Sequence, residues 1–348
     1  SVLHNECNQA QPKKQYNGYP DNVYNYADLP DHIKLDTIAG SKEEKPSVPY
    51  DEQMVDGFNN LTFGVELETS KCLLPQQYLT KYGFIPVRDG SIKGNELVSV
   101  PFQGINGIRN LHHFVTKLQK YSTVDNTCSL HVHQGNIHVP NREKFIAALH
   151  WLYCLLQDEL LEMVPGYKTD FRILAKNDKN NGKDYCAALP RLNLKGKTVA
   201  QRHKAIFKWC NDFREPCNQY NVKSRTHWKH ESPKWHTLSR YYSLNLYNWF
   251  FSNSNTIEYR LHHGTVNPER AVNWLAITMA ITNYAINHTD QILKEKIKYD
   301  LSDIMNDAYD AQFANKLNAY IEERKNFFTD QKLQNDNGLK STFKDEGM

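Results

Sequence analysis

Apolar and polar positions alternate with period two in three separate stretches of the chain: LTFGVELE at 61–68, CSLHVHQG at 128–135 and TIEYRLHH at 256–263. Successive side chains of a β-strand point to opposite faces, so residues two apart share one. Each stretch therefore predicts a strand with a polar pair on one face and an apolar residue between them on the other. The pairs are Glu66 and Glu68 around Leu67, His131 and His133 around Val132, and Glu258 and Arg260 around Tyr259. Residues 84–100 (FIPVRDGSIKGNELVSV) read as two short strands joined by a glycine-containing turn. Residues 241–249 and 256–263 read as two further strands.

A second rhythm is helical. Ile105, Ile108, Leu111, Phe114, Val115 and Leu118 recur at three- and four-residue intervals and predict a helix over 105–121. Asn141 reads as the N-cap of a long apolar helix running to about Met163. Further helices are predicted over 198–213, from Pro268 and Glu269 to about Asn287, and over 302–326. The Trp and Met residues of 141–163 and 272–284 are assigned to the core, and His112 and His113 to an ordinary helix surface.

The pattern divides the chain into three. Residues 1–57 lack apolar periodicity and read as an irregular extension that packs through Tyr16, Tyr19, Tyr24 and Tyr26. Residues 58–330 hold the ordered domain, and 331–348 form a polar tail. Within the domain, 166–197 is polar and reads as a lid, and 214–237 is basic and aromatic. No internal repeat is present.

Composition narrows the classes. With 42 Lys+Arg against 39 Asp+Glu, the charge gives no reason for bulk binding to nucleic acid or to an anionic membrane. No apolar run approaches the roughly 20 residues of a membrane span, and no leader pattern opens the chain, which starts at Ser1. None of the seven cysteines forms a Cys-x-x-Cys pair, and most sit beside apolar residues. Buried thiols in a reducing cytoplasm are therefore expected.

The chemistry lies in the polar strand faces. Carboxylates, imidazoles and a guanidinium gathered on a sheet are costly unless something offsets the like charges, and divalent metal and phosphate are suitable partners. Taken alone, Glu-x-Glu on a strand is ordinarily a solvated face, and Glu258 with Arg260 is an ordinary ion pair.

Taken together and in order, FGVELE, DGSIKGNELVS, LHVHQG, RYYSLNL and TIEYRLHHGTVNPERAVNW resemble the amidoligases, distant relatives of glutamate-cysteine ligase and glutamine synthetase. The resemblance covers roughly residues 58–290. It implies an α+β fold, a curved antiparallel sheet of the glutamine synthetase and glutamate-cysteine ligase type with helices on its outer face. It also implies ATP and Mg²⁺ as cofactors and an amide bond made through an acyl phosphate. By motif position it implies metal binding by Glu66, Glu68, Glu96, His131 and Glu258. Arg260, His131, Arg240 and Asn245 are then nucleotide or substrate contacts, and Arg260, Glu66 and His133 the catalytic groups. His131 is placed on metal or phosphate, whereas His133 is left open between ATP and the substrate carboxylate. His262 is a further candidate on the Arg260 face, with His263 turned away. Arg88 and Asp89 precede the turn that leads to Glu96, and composition alone reads Ser91 and Gly94 as part of a backbone cradle there. The family's small-residue run before the histidines is replaced here by Cys128 and Ser129.

The expected partners are a carboxylate and an amine, whether small molecule, peptide or protein, with no membrane and no nucleic acid. Substrate identity and oligomeric state are not readable. Three alternatives stay open. They are an amide hydrolase on the same fold, a zinc hydrolase using His131, His133 and one glutamate, and a binding module whose site has degenerated.

Overall fold

The computed structural model describes residues 61–87, 92–165, 186, 189, 192–211, 242–251, 255–294 and 298–336, with two short strands at 15–16 and 19–20. The other residues of the extension, the expected lid and the basic-aromatic stretch, Arg88, Asp89, Ser91, Arg240 and the last residues of the tail lie outside it. The fold is α+β, and the strand pairings among the described residues are antiparallel. Backbone contacts divide the chain into two compact units. One comprises 1–136, 262–276 and 341–348; the other comprises 137–261 and 277–340.

In the first unit, strand Thr62–Glu68 lies between Leu130–Gly135 and Glu96–Ser99, and Phe84–Val87 pairs with the outer side of Glu96–Ser99. Register fixes the faces. Leu67 pairs with Leu97 on one side and Leu130 on the other, and Val65 pairs with Val132. These side chains are buried and form the apolar face. Helix Gly104–Tyr121 covers that face, and Phe114 of the helix stacks on Phe84 of the sheet with ring centres 3.9 Å apart. Ile108, Leu111, Phe114, Val115 and Leu118 are all buried, as the helical spacing predicts. Gly94 has a steric reason. A Cβ there would sit 2.2 Å from the Thr69 carbonyl oxygen, so only glycine lets the turn before Glu96 close on the end of the first strand.

In the second unit, helix Arg142–Glu162 forms the centre and packs against Val199–Asn211, Thr289–Leu293 and Ala311–Asp336. Asn141 caps it, its Oδ1 accepting from the Lys144 N–H at 3.0 Å. Pro268, among the first unit's residues, is the first residue of the helix that ends at Asn287, and the Asn267 carboxamide accepts from the N–H groups of Glu269 and Arg270. Trp151, Met163, Trp274 and Met279 are core residues, as expected.

Three expectations are corrected. The stretch 241–249 is not one strand: only Leu244–Asn245 is extended, and Tyr247–Phe251 is a short helix. The cause is Asn245, whose Oδ1 accepts from the Tyr247 N–H at 2.9 Å and turns the chain. The strand expected over 256–263 stops at Tyr259. The rings of His262 and His263 stack at 4.3 Å instead of facing opposite ways, and His262 also meets Trp274. The helix expected over 302–326 is two helices, Leu301–Ala308 and Ala311–Asp336, because the Asp310 carboxylate accepts from the Phe313 N–H at 2.8 Å and starts a new one. No helix among the described residues is long and apolar enough to cross a membrane.

Candidate functional site

The face of the first unit's sheet opposite the leucines carries the predicted chemistry. Glu66 pairs with His131, Gly64 with His133, and Glu68 with Glu96. Five predicted residues, Glu66, Glu68, Glu96, His131 and His133, therefore share one face of three adjacent strands.

Glu66 is the hub. Its Oε2 accepts from His131 Nδ1 at 2.8 Å and its Oε1 from His133 Nε2 at 2.7 Å. Burial pushes the Glu66 carboxyl up. The His133 charge and the hydrogen bonds from both imidazoles outweigh that and hold it well below the usual carboxylate range. His131 reaches a second acid, its Nε2 lying 3.9 Å from Glu68 Oε1. Glu68 is buried, and its Oε2 accepts from the Ser129 N–H at 2.7 Å. Sequence reasoning missed this backbone donor, which a period-two pattern does not reveal. Beside it, Cys128 is buried and burial pushes its thiol up, so it favours the protonated thiol.

The donor set of this face suits a divalent cation. Three carboxylates stand against two imidazoles, and Glu68 lies directly opposite Glu96 across the ladder. Like charges in that relation are destabilising. A hard cation with oxygen ligands removes the repulsion.

Asn245, Glu258 and Arg260 lie in the second unit, while Arg240 falls outside the described residues. Asn245 pairs with Glu258 in a short antiparallel ladder, and its Nδ2 donates to Glu258 Oε2 at 2.6 Å. Arg260 Nη1 donates to Glu258 Oε1 at 2.7 Å. Glu258 is buried and Arg260 nearly so, with side chains 5% and 15% exposed, so this is no surface ion pair. The face shared by Glu258 and Arg260 thus persists although the strand ends between them. Backbone bonds also fix Arg260. Its N–H donates to the Ser243 carbonyl at 2.8 Å, and its own carbonyl accepts from the Cys186 thiol at 3.4 Å. Ser243 and Cys186 were not singled out in the sequence; Ser243 lies inside the RYYSLNL motif, which was the available signal.

Neither curated proteins nor solved structures give a match. A family model described as putative amidoligase enzyme matches residues 80–282, more than half of the 348. With that match, this chain belongs to the amidoligase family.

Proposed function

We propose that this protein is an ATP- and Mg²⁺-dependent ligase that joins a carboxylate to an amine through an acyl phosphate. The single observation that supports the reading within this family is the acidic face, where Glu66, Glu68 and Glu96 share one face of adjacent strands with His131 and His133. The curved concave sheet of the glutamine synthetase and glutamate-cysteine ligase type belongs to the same proposal.

The chemistry balances in two steps. A substrate carboxylate oxygen attacks the γ-phosphorus and ADP leaves. The amine nitrogen then attacks the acyl carbon and phosphate leaves, carrying one oxygen of the former carboxylate. Such transfers rely on positioning and charge neutralisation more than on covalent help. Bound Mg²⁺ ions would supply neutralisation of the triphosphate. Glu66, Glu68, Glu96, His131 and Glu258 are the proposed metal ligands. Arg260 is the proposed clamp on the transferring phosphoryl group, since a guanidinium presents two parallel donors. Asn245 and Arg240 are proposed contacts to substrate or phosphate, and His133 to ATP or the substrate carboxylate.

Incubation with ATP, Mg²⁺ and pairs drawn from amino acids, amines and peptides tests this. ADP and phosphate are expected only when both correct partners are present, with Arg260→Ala reducing turnover about 100- to 1,000-fold. Silence across a broad panel, together with no ATP binding, overturns the reading.

One observation favours a second reading: His131 and His133 each lie within hydrogen-bond distance of Glu66, and two imidazoles with one carboxylate are the ligand types of two-histidine, one-acid zinc hydrolases. Metal analysis separates them. One tightly held zinc per chain and amide hydrolysis without nucleotide establish the second reading.

A further inference from the structure

Gln157 is a buried polar residue in the middle of the apolar helix Arg142–Glu162. A buried carboxamide is costly unless its hydrogen bonds are made, and three bonds account for this one. Its Nε2 donates to the Leu189 carbonyl at 3.1 Å, and its Oε1 accepts from the Leu189 N–H at 2.7 Å. The pairing is the one a neighbouring strand would give, made by a side chain. The same Oε1 accepts from the Ser243 hydroxyl at 3.2 Å.

Both partners lead to Arg260. The Ser243 carbonyl accepts the Arg260 N–H, and Cys186, three residues before Leu189, donates its thiol to the Arg260 carbonyl. The two backbone groups of Arg260 are therefore held by two chain segments, and one helix side chain ties those segments together. Arg260 in turn directs its guanidinium at Glu258.

We propose that Gln157 is a positioning residue that sets the place of the Arg260 guanidinium by clasping Leu189 and Ser243. The catalytic consequence rests on the reading of Arg260 as the phosphoryl clamp; the structural one does not. A side chain held on rigid partners delivers its donors at fixed geometry, and misplacement by about 1 Å costs on the order of 100-fold in rate.

Two variants test it. Gln157→Met keeps the approximate volume and removes all three bonds; Gln157→Glu keeps both acceptor roles and loses only the donation to the Leu189 carbonyl. The first readout is hydrogen exchange in the unliganded protein. Exchange at the Leu189 and Arg260 amides is expected to rise about tenfold or more in Gln157→Met and less in Gln157→Glu, with helix Ala311–Asp336 unchanged as an internal reference. Unchanged exchange at both amides in both variants overturns the inference, whatever the activity shows. The second readout is steady-state kinetics. A drop of about 10- to 100-fold in kcat, with KM for ATP within about threefold, is expected for Gln157→Met, with partial recovery in Gln157→Glu. An unchanged kcat in both, where Arg260→Ala is impaired, removes the positioning role and leaves the ligase reading standing. Where the wild-type protein neither binds nor turns over ATP, the ligase reading fails, and the exchange result alone decides whether Gln157 holds the Arg260 backbone.

Discussion

The sheet face of the first unit and the short ladder of the second handle buried charge in opposite ways. On the first, Glu66, Glu68 and Glu96 outnumber His131 and His133, and Glu68 and Glu96 face each other across a pair of strands. In the second, Glu258 has one oxygen on Arg260 and the other on Asn245 and is matched from within. The second unit also keeps His150 neutral by burial, so a titratable ring there sits without charge. The contrast teaches two ways of holding an acid: Glu258 sits on a guanidinium and a carboxamide, whereas Glu66 sits on two imidazoles and Glu68 stands opposite a second acid, Glu96. On the proposed function, a cation offsets the like charges of that last pair.

The largest effect that sharpens the contrast is expected in the ladder. Glu258→Ala leaves the Arg260 guanidinium and the Asn245 amide without their shared acceptor. Breaking such a buried pair from one side costs about 3 kcal/mol or more. Denaturant unfolding checks this through a lowered midpoint with an unchanged slope. A loss under about 1 kcal/mol would mean that the pair is solvated and the contrast false.

The next effect is a pH dependence. Burial lowers the His150 imidazole to about 3 in the fold, whereas an unfolded histidine titrates near 6.5. Between those values the unfolded chain binds the extra proton, so stability falls as the solution is acidified. This contribution is complete above about pH 6.5 and drains away toward about 3, at about 1 kcal/mol per pH unit in the middle of the window. His150→Leu is expected to remove that part of the slope. An identical slope in both proteins would show His150 protonated in the fold.

The smallest effect has the opposite sign to the first. In a chelator-treated sample, Glu68→Gln and Glu96→Gln each remove a like-charge contact and are expected to stabilise by about 0.5 kcal/mol. The glutamine at 68 keeps an oxygen for the Ser129 N–H. Destabilisation by more than about 1 kcal/mol in both would show that the acids are already matched by the protein, as Glu258 is.

The faces of the first unit were legible because period two is a strong signal, and the three strands that carry the acids and histidines hold at least four residues each. The second unit was less so, for identifiable reasons. Asn245 bends the chain through a bond from its own side chain to the Tyr247 N–H, and alternation does not encode that competition. At Asp310 the apolar spacing runs on through Ile304, Met305, Tyr309 and Phe313, which masks a helix break that only the capping carboxylate announces. Gln157 stood in plain view as a polar residue in CLLQDELL, but its partners are 32 and 86 residues away. The charged residues of the site were found by motif order, while the backbone groups that fix them, the Ser129 N–H that donates to Glu68 and the Ser243 carbonyl that accepts from the Arg260 N–H, leave no trace in composition.

Titration of metal-free protein with Mg²⁺ in the presence of a non-hydrolysable ATP analogue, followed by calorimetry, tests the central claim most directly. The account predicts saturable Mg²⁺ uptake by the wild-type chain that Glu66→Gln, Glu68→Gln and Glu96→Gln each weaken by about tenfold or more. Uptake that is absent, or equal in all four proteins, would contradict it.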